Sequence, residues 1–484
     1  MAPRDDTAVI PAAAAVADST PTATPGRTPL DRARVIVVGG GVTGLAAAYQ
    51  LAKRGAKVTL VEKAPAIGKG AGGSSPGYLF HSGDAAAAAA AVDAVVVFPP
   101  PGFATGFGPV SLVRYLKGNL EKVLHGGITQ AETPLPPIER GVMPWLGNFF
   151  SLNLSRRDWV PRRWEAIGAL ITRSREDLRS LMAEENLAFK INDLGLLTVC
   201  HTKGQLDSLT APLLLQGNLV SGVEIVEQEA ALSLEPGMIG STKEDIWAGI
   251  YTRNFASGDP DSFAVTLAIH CRDKYDVQVL SSTQVTGLVM HPRKNRLLGV
   301  RTKEGDIIGG DLVVLCTGGE TNSISKSVGI TFPLWPARAL SIVFHVPPSL
   351  RSLAPQRAVI DPFSGLMVSR VANTVRITSA LQLAHEKVTG RDWLVASLLI
   401  SARKMFPALT PILQDHDQLE IHTGLFCLSP DGVPIISGTS ISNLFVNVGH
   451  GMNSFATALG TGYILAEVIS GVSQPQYSLD RFRF

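Results

Sequence analysis

"RVIVVGGGVTGLAAAYQLAKRGAKVTLVEK", residues 34–63, sets three glycines between a short apolar run and an alanine-rich segment. Residues 35–38 are too short for a helix and have the β-branched texture of a strand buried on both faces. Gly39, Gly41 and Gly44 then take the G-x-G-x-x-G spacing, with Val42 and Thr43 inside it, and residues 45–53 continue in good helix formers. One glycine permits a tight turn, one lets the backbone approach a pyrophosphate, and one lets helix and strand pack closely. The N–H groups and positive dipole end at the helix start attract the anion. A second β-rich run, Lys57–Val61, ends in Glu62, 18 residues beyond Gly44, where a carboxylate can accept hydrogen bonds from an adenosine ribose. Glycine alone, at 47 of 484 residues, is too common to carry the reading; strand, glycines, helix, strand and acid in register do carry it. The motif does not separate FAD from NAD(P): Lys63 favours a 2′-phosphate, and the acid before it argues against one.

The chain is long enough for two or three domains, with a large core supplied by 45% hydrophobic residues. A net charge of +2 and a charged fraction of 17% give no sign of a nucleic-acid partner. Cys200, Cys271, Cys316 and Cys427 lie far apart without metal spacing and read as small buried hydrophobes, and the ten histidines form no ligand pair, so no metal is expected. Residues 1–32, rich in Ala, Pro and Thr, read as a flexible leader. It lacks a secretory h-region, and its acids weaken a mitochondrial reading; the expected location is cytoplasmic, with mitochondrial the alternative. The apolar run at 85–98 carries Asp93 and meets prolines at 99–101, too short to span a bilayer, and reads as a low-complexity insertion or buried helix.

Helical patterns dominate from 111 to about 186, followed by a strand at 194–200 and a helix near 204–216. From 330 to 380 the texture turns to β, with "LSIVFHV", "GLMVSRV" and "TVRITSA", which suggests an antiparallel sheet in a second domain. Residues 277–319 then read as a strand, a three-stranded meander with turns at 293–295 and 304–306, and a buried strand ending in Thr317-Gly318-Gly319. Residues 443–471 repeat the opening logic with a strand, a Gly-His-Gly turn and a helix starting at about Asn453. A helix closing over the far end of the cofactor suits a flavin, whose ring must be polarised near N1 and O2 when reduced, so the cofactor is read as FAD rather than NAD. The expected fold class is α/β: an FAD-binding Rossmann-like domain, a parallel sheet plus β-meander, assembled from 33–110, 215–325 and 425–484. A second α+β substrate domain containing an antiparallel sheet takes 111–214 and 326–424.

These residues resemble the FAD-dependent D-amino-acid dehydrogenase and oxidase superfamily, which includes glycine and sarcosine oxidases, and are most similar to its D-amino-acid dehydrogenase small-subunit branch. The anchors are the Gly39/Gly41/Gly44 fingerprint with Glu62, "SGDPDSF" at 257–263, "TQVTGL" around Val285, "GDLVVLCTGG", "FPLWPARALSIVF", "SPDGVPII" and "VGHGMNSFATALGTGYILAEVISG". The resemblance implies an extended FAD along the parallel sheet, with Glu62 on the ribose, the Val285 backbone near the adenine and Thr317-Gly318 beside the pyrophosphate or ribose. It places Gly449, His450, Gly451, Met452 and Asn453 next to the flavin ring. It also implies hydride transfer from a substrate carbon to flavin N5, giving an imine and then an oxo acid, with positioning rather than an obligatory base.

The chain departs from the family pattern where a substrate carboxylate would be held. An arginine of "GLRP" is replaced by Phe426 in "GLFCLSPDG", and the Gly-Tyr of "KGYS" by Ala339-Leu340 in "RALS". Phenylalanine cannot replace a bidentate guanidinium. Either another cation serves, with Arg338 and Arg376 the candidates and His450 a candidate polar contact, or the substrate lacks that carboxylate, or catalysis is gone. The reading is therefore an FAD-dependent oxidoreductase acting on an amino acid or related amine, with a flavin-binding homologue of regulatory or binding role as the alternative. Implied partners are the small-molecule substrate and an electron acceptor (quinone, oxygen or an electron-transfer protein). Aromatics and arginines at 143–164 suggest a peripheral membrane contact or, alternatively, inward packing.

Overall fold

The computed structural model describes residues 9–10, 30–68, 75, 77–80, 143–155, 159–214, 222–240, 246–253, 255–379, 381 and 391–482. The apolar run at 85–98 and the helical pattern over 111–142 lie outside the described residues.

The opening stretch forms the expected βαβ unit: strand Arg34–Val38, helix Val42–Lys53 and strand Lys57–Val61. It sits in a six-stranded sheet whose spatial order is Gln278–Leu280, Lys57–Val61, Arg34–Val38, Leu312–Leu315, Leu444–Val448 and Ile435–Gly438. The first five run parallel and the last is antiparallel. The central strands are apolar throughout because both faces are covered. Val35 and Val37 pack with helix residues such as Leu45, whereas Ile36 and Val38 pack with Leu288 and Val300 of the meander on the other side.

The meander is present as expected, in strands Val285–Met290, Leu297–Thr302 and Ile307–Gly309. Of the leader, Val9–Ile10 adds to it by pairing antiparallel with Ile307 and Ile308.

A second, eight-stranded sheet runs in the order Glu420–Leu428, Trp335–His345, Thr374–Ser379, Leu366–Val371, Ala358–Asp361, Leu196–Cys200, Ala248–Thr252 and Val223–Glu227. All neighbours are antiparallel except Ala358–Asp361 with Leu196–Cys200. Two of its strands, Val223–Glu227 and Ala248–Thr252, come from within 215–325, and Glu420–Leu428 crosses the expected boundary at 425. The second unit thus reaches further along the chain than its β-rich centre suggested.

Three helices tie the units together: Val42–Lys53, Ser454–Ile469 and the long Trp159–Ala183. Close approach depends on missing side chains. A Cβ on Gly460 would meet the Leu170 carbonyl oxygen at 2.2 Å, and one on Gly462 would meet that of Ala46 at 2.6 Å. From the 143–164 segment, Trp145 and Phe149 stack inward at 5.6 Å between centroids, and the Trp145 indole donates to the Leu428 carbonyl at 3.0 Å. These two aromatics serve the core and present nothing to a headgroup surface. All four cysteines are buried and unpaired, as expected.

Candidate cofactor and substrate site

Three neighbouring parallel strands, Arg34–Val38, Leu312–Leu315 and Leu444–Val448, end side by side, about 4.8 Å from one to the next. After the first of them the chain crosses to Lys57–Val61 on one side, while Leu312–Leu315 lies on the other. A crevice outside the strand ends at such a switch point is where open α/β sheets take ligands. A cleft runs through it from Glu62 and Val285, past Gly41, Thr317 and Gly318, to Gly449, His450, Gly451 and Ser454. Segments hundreds of residues apart are brought to one groove.

Its glycines divide their work as the motif implies. Gly39 has φ +107° and lies against the Cys316 carbonyl, so it makes the turn. A Cβ on Gly44 would sit 1.8 Å from the Gly39 carbonyl oxygen, so it sets the distance between helix and strand. A Cβ on Gly41 would meet nothing within 4 Å, and the same holds for Gly318. Those two leave an open cradle along which a bulky group can lie against backbone. Val42 and Thr43 line the cleft at the start of a helix that has no side-chain cap and no acid in its first turn, which suits a pyrophosphate.

Glu62 is held by the backbone. Its two carboxylate oxygens accept from the Gly40 N–H at 2.6 Å and the Ala64 N–H at 2.8 Å, leaving further lone pairs for a ribose. Lys63 pairs with Glu320, which lines the opposite wall, so its ammonium is engaged by a carboxylate. Val285 starts the meander strand at this end.

At the far end, Gly449 and Gly451 adopt φ of +83° and +55° to turn the chain into Ser454–Ile469, whose first turn carries no acid. Gly449, His450, Gly451 and Ser454 line the cleft. Met452 instead turns into the core, 6% exposed, and Asn453 is not among the residues that line the cleft. His450 faces inward. Its Nε2 lies 3.3 Å from the Thr461 hydroxyl, whose own proton goes to the Ala458 carbonyl, so the imidazole is the donor. Burial pushes its pKa down to about 3, and the ring is neutral at pH 7.

Asn447 was not among the sequence candidates. Only 1% exposed, it lines the cleft and donates to Thr461 at 3.2 Å, while its carbonyl oxygen has no partner among the described residues. The signal was there in "LFVNV": a polar residue inside an apolar buried strand needs a reason. An orphaned acceptor, an open glycine cradle and two uncapped helix starts fit a long dinucleotide with an anionic centre.

The substrate candidates separate. Phe426 lines the cleft and packs on the same sheet face as its pair partner Ala337 and as Ala339. Arg338 alternates to the opposite face, as does Leu340, which belongs to the other core with Ile342 and Phe344. Leu340 itself packs in that core, although its pair partner Thr423 lines the cleft. Arg376 shares the Phe426 face but donates to Asp259 at 2.9 Å and Asp261 at 3.2 Å, tying the sheet to the start of helix Pro260–Tyr275. Arg376 is thus held by two carboxylates, and Arg338 lies on the face opposite Phe426.

Comparison with known proteins agrees with this geometry. The family model for FAD dependent oxidoreductases (DAO) matches residues 34–468. The D-amino acid dehydrogenase of Methylobacterium nodulans is 27% identical over 446 residues, covering 90% of this chain and 95% of that protein. That of Vibrio atlanticus is 27% identical over 447 residues, covering 90% and 96%. Among solved structures, L-proline dehydrogenase from P. horikoshii superposes with a TM-score of 0.61 at 18% identity, covering 93% of this chain and 98% of the other. Glycine oxidase from Bacillus cereus gives 0.62 at 16%, covering 91% and 96%. With the family model matched along nearly the whole described chain, the protein belongs to the FAD dependent oxidoreductase (DAO) family.

Proposed function

We propose that this protein oxidises an amine or amino acid at a carbon–nitrogen bond, with FAD held in the cleft between Glu62 and Gly451. The carrying observation is the groove itself: a glycine cradle with an uncapped helix start at each end, on a chain of this family. Curated relatives named D-amino acid dehydrogenase support the substrate class.

Bound FAD would supply a two-electron hydride acceptor, so that the carbon–nitrogen bond could be oxidised to C=N and then hydrolysed by water to an oxo product and ammonia or an amine. The chain's own residues do the rest. Backbone N–H groups from Gly41 to Thr43 would hold the pyrophosphate, and Glu62 the ribose. The start of Ser454–Ile469 would favour negative charge developing at the far end, since the neutral His450 cannot. Phe426 would exclude water from the reacting face. No side chain has to act as a base.

A quinone, oxygen or an electron-transfer protein would then take the electrons. The second reading, a flavin-binding protein without oxidase activity, draws on Phe426 alone. Anaerobic mixing of the FAD-loaded protein with a panel of amines and amino acids decides: bleaching of the flavin bands by any of them supports oxidation, and no bleaching across the panel supports the second reading.

A further inference from the structure

Resting on the proposed oxidation of a carbon–nitrogen bond, we infer that the substrate of this cleft is an amine bearing no carboxylate on its reacting carbon. The wall that the second sheet turns toward the cleft is uncharged, with Thr423 its one hydroxyl. The stretch of the sheet that lines the cleft, residues 423–427, carries no charged side chain: Phe426, 2% exposed, pairs with Ala337, and Leu425 and Cys427 lie on either side of it.

The cation on that face is already engaged. Phe426 is registered with Ala337 and Arg376 with Val343, six residues further along the shared strand, so their backbones lie about 20 Å apart at the usual rise per residue. Arg376 is held there by two carboxylates, Asp259 and Asp261, and lies near the Ser341 hydroxyl at 3.4 Å. Arg338, registered with Leu425, leaves from the face opposite Phe426 and is not among the residues that line the cleft. At the other side of the cleft the imidazole of His450 is neutral and already donating to Thr461. An ionised carboxylate against the stretch 423–427 would lose its hydration with no cationic side chain of that stretch to pair it, whereas a methyl, alkyl or aryl group would gain by burial.

Matched pairs that differ only in the carboxylate test this: D-alanine against ethylamine, and D-phenylglycine against benzylamine. In anaerobic flavin reduction the amine of each reactive pair is expected to react at least ten-fold more efficiently than its amino acid. As a readout independent of turnover, benzoate titrated into the FAD-loaded protein is expected to leave the flavin spectrum unchanged up to millimolar concentration, and Phe426→Arg to create a saturable spectral shift.

Amino acids reacting faster than their amines, or benzoate saturating the wild-type protein, would overturn the inference while leaving carbon–nitrogen oxidation standing. No reduction by either member of any pair would instead remove the proposed function, and the benzoate titration would still decide whether the wall accepts a carboxylate. Because the wild-type comparisons stand without the variant, a Phe426→Arg protein that fails to fold does not spare the inference.

Discussion

Gly41 and Gly44 belong to one motif and predict opposite failures. Gly41 has φ −72°, which alanine adopts freely, and its Cβ would project into open space in the cleft. Gly41→Ala is expected to keep the melting temperature of the apoprotein and weaken FAD binding at least ten-fold, because the added methyl sits where the cofactor must approach backbone. Gly44→Ala drives a methyl into the Gly39 carbonyl, and the expected result is loss of soluble folded protein, read by circular dichroism. His450 gives a pH signature. Its pKa falls from the ordinary 6.5 to about 3 on burial. Between those values the unfolded chain binds a proton that the folded chain refuses, so stability declines as pH drops, by at most about 1.4 kcal/mol per pH unit. His450→Gln can still donate to Thr461, and it is expected to flatten the fall in melting temperature below pH of about 6.5.

At the scale of elements, the C-terminal helix is pinned by absent side chains and the C-terminal tail by a present one. Ala456, Ala458, Gly460, Gly462 and Ala466 let Ser454–Ile469 lie against two other helices, with the Gly460 N–H donating to the Ser174 hydroxyl at 2.8 Å. Gly460→Ala is expected to cost about 1–3 kcal/mol in denaturant unfolding, since the Leu170 carbonyl is part of a helix and cannot move aside cheaply. Because this helix starts at the cleft, the same variant should also release FAD faster. Arg481 donates to both oxygens of Asp431 at 2.7 and 3.2 Å and to the Val433 carbonyl, with both side chains almost wholly buried. Arg481→Ala strands a buried carboxylate, and a loss of about 3–5 kcal/mol is expected, measurable by urea titration.

Over the whole molecule, the cofactor half was readable from sequence because each of its devices is local. The Gly39/Gly41/Gly44 turn, the Glu62 at a strand end and the meander turns at 293–295 and 304–306 all fall within short windows with fixed periodicity. What was not readable depends on faces and on distant partners. Arg376 meets Asp259 and Asp261 across more than a hundred residues. Leu340 looked like a lost contact until strand alternation placed it in the other core. "VEIVE", with two glutamates in five residues, gave little sign of being an edge strand of an eight-stranded sheet. Asn447 and Met452 changed standing for the same reason, one turning toward the cleft and the other away.

The most direct single measurement is the visible absorption spectrum of the purified protein, after incubation with FAD, before and after anaerobic addition of benzylamine, with D-alanine and dimethylamine added in turn if it does not react. An FAD-dependent oxidoreductase of carbon–nitrogen bonds should retain the two-banded spectrum of oxidised flavin through desalting and lose it on amine addition. A protein that stays colourless after incubation with FAD, or keeps an oxidised flavin unchanged by all three compounds, would contradict it.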